Sequence, residues 1–222
     1  MKVSDKSKSR QDYLKAIFSF ELKGMKVSTT SISEKLMTKP ASVTGMFKVL
    51  SDLGLIEYKP YQGAELTDLG RSEAISLMRK HRLWETFMVK NLGFGWDEVH
   101  EVAEQLEHVE SNELVDRLDT YMGYPAFDPH GDPIPDSKGR LASQQQELLS
   151  VVSLHKSVEI TAVGSQSSEL LELLKHKGLQ MGTRLEVKKI FDFDGSLELK
   201  IKNQQIVTIS RDLASVLFVK PV

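Results

Sequence analysis

The sequence contains no cysteine among its 222 residues. This absence excludes disulfide bonds, zinc ribbons and thiol catalysis, and it is typical of the reducing cytoplasm, where we expect the protein to reside. No apolar run approaches the roughly 18–20 residues that span a membrane, and the polar start of the chain is not a signal peptide, so we expect no membrane association. An HExxH motif and a nucleophile elbow are also absent, so we expect neither an enzyme nor a small organic substrate.

Charge is distributed unevenly along the chain, although the net charge is only −2. Residues 1–72 hold 12 basic and 8 acidic residues, residues 73–143 hold 7 and 14, and residues 144–222 hold 10 and 9. A basic first third suits polyanion binding, and an acidic middle third suits cation binding. The charge pattern therefore predicts two functions within one chain.

The first 72 residues have the pattern of a winged helix-turn-helix domain. A helical stripe of apolar residues ends at Gly24, and Ser31, three residues before Glu34, has the spacing of an N-cap that begins a second helix. Pro40 is placed to begin a third helix. The segment 60–63 then separates two short strands, which would form the wing.

In such a domain the third helix enters the major groove of double-stranded DNA with its N-terminal residues at the base edges. This geometry predicts DNA contacts through hydroxyls, small apolar groups and lysines of the third helix and the wing. The predicted DNA-binding residues are Thr38, Lys39, Pro40, Ala41, Ser42, Thr44, Lys48 and Lys59. Three short helices and a hairpin could instead form a protein-docking module, which is the alternative for this region.

Residue types that bind metals recur at helical spacing in the acidic middle third: His81, Glu85, His100, Glu104, Glu107 and His108. At about 100° per residue the last four share one face of a helix, and the first two share a face through their i,i+4 spacing. Imidazole and carboxylate without thiolate suit Mn²⁺, Fe²⁺ or Zn²⁺. A solvated acidic helix face that carries two histidines would have the same spacing, so the pattern alone leaves both interpretations open.

The rest of the chain predicts a dimer interface, a linker and a β-domain. Helices between residues 73 and 142 hold more large apolar residues than one face needs, which predicts a homodimer. A Pro/Gly/Asp-rich linker is expected from about residue 124, with His130 as a loop histidine that nothing fixes in place. Short strands between residues 150 and 222 predict an SH3-like β-barrel, so the expected fold is mainly α with a small β component.

Several spaced motifs together resemble the DtxR/MntR family of metal-dependent repressors. They are RKHRLWETF at residues 79–87, VHEVAEQLEHVESNELVDRL at 99–118 and HGDPIPD at 130–136, and the resemblance covers nearly the whole chain in the same order. It implies a winged helix-turn-helix DNA-binding domain at 1–72, a helical dimerisation and metal-binding domain at 73–142, and an SH3-like (FeoA-like) domain at 150–222.

The resemblance also implies a set of metal ligands. The primary, regulatory site would comprise Asp12, Glu104, Glu107 and His108; the second site would comprise His81, Glu85 and His100; and the SH3-like domain would offer Gln166 and Glu169. Oxygen and imidazole donors favour Mn²⁺, with Fe²⁺ as the other candidate effector and Zn²⁺, Co²⁺ or Ni²⁺ expected to bind in vitro. Lys15 stands where short manganese regulators have a further carboxylate, which argues against their binuclear arrangement.

The expected function is a homodimeric, metal-dependent repressor that binds a palindromic operator and controls genes of metal-ion uptake and homeostasis. Alternatives are an iron-dependent repressor of the same family, a metal-independent winged-helix regulator and a metallohydrolase with His/Glu ligands. Metal titration separates the classes, because the repressor gains DNA affinity, the hydrolase gains turnover and the metal-independent regulator responds to neither.

Overall fold

A computed structural model describes residues 2–201 and 206–222, with side chains from residue 7 onward within those ranges. Its elements, in chain order, are α1 (Lys2–Leu22), α2 (Thr29–Lys35), α3 (Pro40–Asp52), β1 (Ile56–Lys59), β2 (Gly63–Leu66), α4 (Asp68–Leu92), α5 (Val99–Leu106), α6 (Asn112–Tyr121), β3 (Glu147–Leu148), β4 (Ser157–Val163), α7 (Ser168–His176), β5 (Arg184–Ile190), β6 (Leu197–Ile201), β7 (Ile206–Ile209), α8 (Arg211–Ala214) and β8 (Leu217–Pro221). No helix in these ranges is long and apolar enough to cross a membrane.

The chain divides into two compact units, and the first comprises Met1–His81, Leu106–Asn112 and Pro135–Arg140. Its core is apolar and fully buried, with Phe47 of α3 packed among side chains of α1 and α2. Strands β1 and β2 pair antiparallel, with Lys59 opposite Gly63 at the tip. Three helices followed by this hairpin confirm the predicted winged helix-turn-helix.

Helix α2 begins three residues before the predicted start. Ser28 is its N-cap, because the Ser28 hydroxyl accepts a hydrogen bond from the Ser31 N–H at 3.0 Å. The Ser31 hydroxyl in turn accepts from the Ser28 N–H at 2.9 Å. The predicted Ser31 cap was wrong because a serine at the third helical position can accept the bond that a glutamate usually accepts in a capping box.

The second unit comprises Arg82–Gln105, Glu113–Ile134 and Leu141–Val222. Its helical part has a small core in which Leu83 of α4 packs with Val115 and Leu118 of α6. Its C-terminal part is an antiparallel six-stranded sheet, in the order β3-β8-β4-β5-β6-β7 among the described residues. Bulges in β4 and β5 bend the strands around an apolar core, which confirms the SH3-like fold.

Helix α5 ends earlier than the predicted ligand helix. Its last residue is Leu106, and the Val109 N–H donates to the Leu106 carbonyl at 3.1 Å, three residues back rather than the four of an α-helix. Glu107 and His108 therefore lie in a turn that belongs to the first unit, whereas Glu104 remains in α5 within the second. The expectation of four ligands on one helix face was wrong, because periodicity does not reveal where a helix stops.

A loop between α6 and β3 closes against β4 within the second unit. Gly131 has φ = +86°, and a Cβ there would lie 2.0 Å from the Thr161 carbonyl oxygen. The neighbouring His130 carbonyl accepts a hydrogen bond from the Val163 N–H at 3.0 Å. Only glycine permits both this backbone conformation and this close approach.

Candidate metal centres

Asp12, Glu107 and His108 form a first cluster of metal-ligating groups, the Asp12 cluster, in the first unit. Each offers one ligand atom, and these atoms lie within 4.8 Å of one another. Asp12 projects from α1, and its Oδ1 lies 3.4 Å from Nε2 of His108. The side chain of Asp12 is 39% exposed, whereas that of Glu107 is fully buried. The cluster is therefore open to solvent on one side.

Gln11 orients the imidazole of His108. The Nδ1 atom of His108 lies 2.7 Å from Oε1 of Gln11. Because an amide oxygen only accepts hydrogen bonds, Nδ1 carries the proton. The lone pair of the neutral ring is then on Nε2, the atom that faces Asp12. A partner that fixes the tautomer in this way is typical of histidines that bind metals.

Glu107 has one satisfied and one unsatisfied oxygen. Its Oε2 accepts from Nζ of Lys15 at 2.7 Å and lies 2.6 Å from Nδ1 of His81. Its Oε1 is buried and makes no hydrogen bond within the described part of the chain. A buried acceptor without a partner costs free energy, which a cation bound at Oε1 would recover. The residues present therefore fit a divalent metal ion.

Glu85, Asp128 and His130 form a second cluster, the His130 cluster, within the second unit, and all three are buried. Nε2 of His130 donates to the Trp96 carbonyl at 2.8 Å, and the two rings stack with centroids 6.0 Å apart. Nδ1 therefore faces the carboxylates, 3.5 Å from Glu85 and 4.0 Å from Asp128. His130 lies in a loop as predicted, but the expectation that nothing fixes its geometry was wrong.

Charge is concentrated in the His130 cluster without solvent to screen it. Burial by itself lowers the pKa of His130, but the adjacent carboxylates of Glu85 and Asp128 raise it to about 9. Burial, followed by the charges of Glu85 and Asp132, raises the pKa of Asp128 to about 7. Oδ2 of Asp128 makes no hydrogen bond among the described residues, so a cation that displaced the proton of His130 would meet two carboxylates and one imidazole.

The sequence contained a weak signal for this second cluster. Asp128 and His130 occur as DPHGD, so their carboxylate and imidazole are two residues apart beside a glycine. Oδ1 of Asp128 accepts from the backbone N–H groups of His130 and Asp132 at 2.8 and 3.0 Å. This Asx-type turn directs the His130 side chain inward, which the loop composition alone did not indicate.

Other predicted ligands have partners within the second unit. Nδ1 of His100 lies 3.2 Å from Glu85 Oε1, and Nε2 of His100 lies 3.5 Å from Glu104. The Gln166 side chain donates to Asp132 Oδ2 at 2.9 Å. Glu169 is exposed in the first turn of α7. Glu85, His100 and Glu104 thus lie together in the second unit, and His81 lies beside Glu107 in the first unit.

The predicted DNA-binding residues lie at the start of α3 and in the wing. Pro40 is the first residue of α3, as predicted, and Lys39 is its N-cap. Most members of the set are exposed: Lys39, Pro40, Ala41, Ser42, Lys48 and Lys59. Thr38 and Thr44 are half-buried, and the Thr44 hydroxyl donates to the Pro40 carbonyl at 3.1 Å.

Comparison with known proteins assigns each part of the chain. Residues 5–64 match the N-terminal DNA-binding domain of iron-dependent repressors, residues 67–136 match their metal-binding and dimerisation domain, and residues 148–221 match the FeoA domain. An HTH-type transcriptional regulator of Methanocaldococcus jannaschii is 38% identical over 52% of this chain and 94% of its own length.

Two further relatives match along nearly the whole chain. The iron-dependent repressor IdeR of Mycobacterium leprae is 28% identical over 99% of this chain and 100% of its own length. The solved structure of a manganese-dependent transcriptional repressor in complex with manganese has a TM-score of 0.86 at 31% identity, covering 96% of this chain and 100% of that chain. With this domain order and these similarities, the chain belongs to the DtxR/MntR family of metal-dependent transcriptional repressors, which are DNA-binding regulators and not enzymes.

Proposed function

We propose that this repressor is a homodimer that binds a palindromic operator when Mn²⁺ binds at the Asp12 cluster. It would act in the cytoplasm and control the genes of metal-ion uptake. One observation carries the proposal. Asp12 of α1 lies in the DNA-binding domain, and its partner His108 comes from the region that matches a metal-binding domain. A metal held by both would join those two parts of the chain.

The donor set supports manganese. Asp12 and Glu107 supply carboxylate oxygens, His108 supplies an imidazole nitrogen, and the chain has no cysteine. Such hard and borderline donors suit Mn²⁺, and Fe²⁺ is the second candidate because availability decides between metals of similar affinity. Zn²⁺, Co²⁺ and Ni²⁺ should also bind in vitro. Glu104 is the predicted fourth ligand.

Coupling to DNA would follow from the positions of the ligands. The ion would bind to Asp12, Glu107 and His108, and its two positive charges would offset the two carboxylates. The bound ion would then keep α1 in contact with the turn after α5. In a dimer, the position of α1 affects the spacing of the two α3 helices, and that spacing must match the two operator half-sites. Large apolar side chains exposed in the second unit, including Leu92, Leu114 and Tyr121, suit the dimer interface.

A second metal site is part of the proposal. The His130 cluster offers Glu85, Asp128 and His130, and Glu85 is also one of the ligands predicted from the sequence together with His81 and His100. Gln166 contacts Asp132 next to this cluster, which supports a contribution of the SH3-like domain through hydrogen bonding. Direct ligation by Gln166 and Glu169 remains a prediction.

The proposal is tested with Asp12→Ala. Native genomic fragments are first selected by retention on the wild-type protein with Mn²⁺, and binding to the selected fragment is then measured with Mn²⁺ or chelator. Asp12→Ala should keep the fold and the dimer and lose metal-dependent binding, because α1 no longer contributes a ligand. Glu172→Ala, which removes an exposed carboxylate of α7, is the matched control and should behave as wild type.

Three outcomes would contradict the proposal. An unchanged metal response in Asp12→Ala would separate the cluster from DNA binding. Equal retention by the wild-type protein in chelator would indicate a metal-independent regulator. Metal-dependent turnover of a hydrolysable substrate without any gain in DNA affinity would indicate a hydrolase.

A further inference from the structure

Lys15 lies inside the Asp12 cluster, although the metal-binding proposal gives it no role. It follows Asp12 by three residues on α1, so both side chains project from the same side of the helix. Its Nζ lies 2.7 Å from Oε2 of Glu107 and 3.3 Å from Nδ1 of His81. The ammonium group of Lys15 thus lies beside a carboxylate that is expected to bind a metal ion.

We propose that Lys15 is a tethered cation that competes with the metal for Glu107 and thereby sets the metal concentration at which the repressor responds. This inference rests on the function proposed above, since it concerns the affinity of the same cluster. The role is one of tuning, because Lys15 cannot donate a lone pair to a metal while it is protonated.

The environment of Glu107 explains why a cation is needed there. Its side chain is fully buried, and a buried carboxylate without a positive partner is strongly destabilising. Lys15 supplies that partner and is itself 20% exposed. The ammonium group of Lys15 thus offsets the charge of a buried carboxylate in the metal-free protein.

The same contact opposes metal binding. Lys15 and His81 both contact Oε2 of Glu107, which leaves Oε1 as the oxygen without a hydrogen bond in the described part of the chain. The two oxygens share one carbon, so a divalent ion at Oε1 would be repelled by the ammonium group of Lys15. Metal binding is then weaker than the three ligands alone would allow.

The side chain of Lys15 is suited to reversible competition. A lysine ammonium is a compact charge on a flexible four-carbon stem, and its partial exposure gives it a short route to water. When an ion takes the carboxylate, the ammonium can move into solvent and be hydrated. Lys15 should therefore stabilise the metal-free protein and weaken metal binding, two effects of opposite sign.

The experiment uses Lys15→Met in the full-length protein, which keeps the length of the stem and removes the charge. The dissociation constant for Mn²⁺ is measured by competition with a fluorescent chelator, and stability is measured by urea unfolding in chelator. We expect Mn²⁺ to bind at least tenfold more tightly and the urea midpoint of the metal-free protein to fall. Lys23→Met, at an exposed lysine just after α1, is the matched control and should change neither quantity.

The outcomes separate this inference from the proposed function. If the wild-type protein does not bind Mn²⁺, the proposed function fails, and the role of Lys15 fails with it. If the wild type binds and Lys15→Met binds equally or less tightly, only the competition is overturned. If Lys15→Met fails to fold, the Mn²⁺ affinity of Lys15→Gln is compared with that of the wild type instead. This variant removes the charge but keeps a hydrogen-bond donor.

Discussion

The Asp12 cluster and the His130 cluster use the same chemistry in different surroundings. Both offer two carboxylates and one imidazole. In the Asp12 cluster one carboxylate is 39% exposed and a lysine balances the charge, whereas every side chain of the His130 cluster is fully buried. The balancing charges of the His130 cluster are the proton of His130 and the guanidinium of Arg82, whose Nε lies 3.7 Å from Asp128.

The difference indicates a division of roles. The Asp12 cluster is open to solvent on one side, and Lys15 beside it is partly exposed, so an ion bound there could exchange without opening of the fold. The His130 cluster is enclosed by its own loop, which hydrogen-bonds to β4 through the His130 carbonyl. Entry there requires local opening of that loop. The exposed cluster suits sensing, and the enclosed cluster suits holding the loop in place.

Loss of a predicted ligand from the Asp12 cluster should give the largest effect of the three substitutions. His108→Ala removes the only nitrogen donor of the Asp12 cluster, and we expect Mn²⁺ affinity there to fall by more than about 100-fold, since even indirect partners of a ligand cost 10–100-fold. Calorimetric titration should show that binding at the His130 cluster is retained. His176→Ala, at an exposed histidine of α7, is the control. Loss of both binding events together would refute the independence of the clusters.

A substitution of Gly131, which changes the backbone geometry of the loop, should disrupt the His130 cluster. Gly131→Ala places a Cβ 2.0 Å from the Thr161 carbonyl oxygen at a residue with φ = +86°, so the loop must move. We expect a loss of about 2 kcal/mol in the free energy of unfolding, measured with urea. Gly45→Ala in α3 meets no atom within 4 Å and should stabilise the protein by about 0.5–1 kcal/mol. Equal stability of the two variants would contradict the close approach of the loop to β4.

Loss of Gln11, which fixes the tautomer of His108, should give the smallest effect of the three substitutions. Gln11→Leu removes the oxygen that accepts from Nδ1 of His108, and we expect about tenfold weaker Mn²⁺ binding at the Asp12 cluster. Chelator competition measures the change, and Gln11→Glu, which keeps an acceptor, should bind at least as tightly as wild type. An unchanged affinity in Gln11→Leu would show that the ring is held by other contacts.

The sequence predicted those features that depend on neighbouring residues in the chain, such as the start of a helix or a tight turn. Pro40 begins α3 as expected because its fixed φ suits the first helical position, and residues 60–62 form the turn of the wing, with Gly63 already in β2. The end of α5 at Leu106 was missed because helical periodicity in Glu107 and His108 continues past the last helical hydrogen bond.

Long-range contacts account for what the sequence did not reveal. The burial of His130 depends on Trp96 and Val163, each more than thirty residues away in the chain. The approach of Lys15 to Glu107 joins residues 92 positions apart. The identity of Lys15 was visible in the sequence, but its contact with a buried carboxylate depends on tertiary packing.

The turn after α5 has a consequence for how this protein can be divided. Glu107 and His108 fold with Met1–His81 although they follow a segment of the other unit. A fragment cut after residue 72 would retain α3 and the wing but lose two of the three ligands of the Asp12 cluster, and Lys15 would lose its carboxylate. Transplanting those 72 residues into another protein would therefore transfer the predicted DNA-binding surface without the proposed metal site.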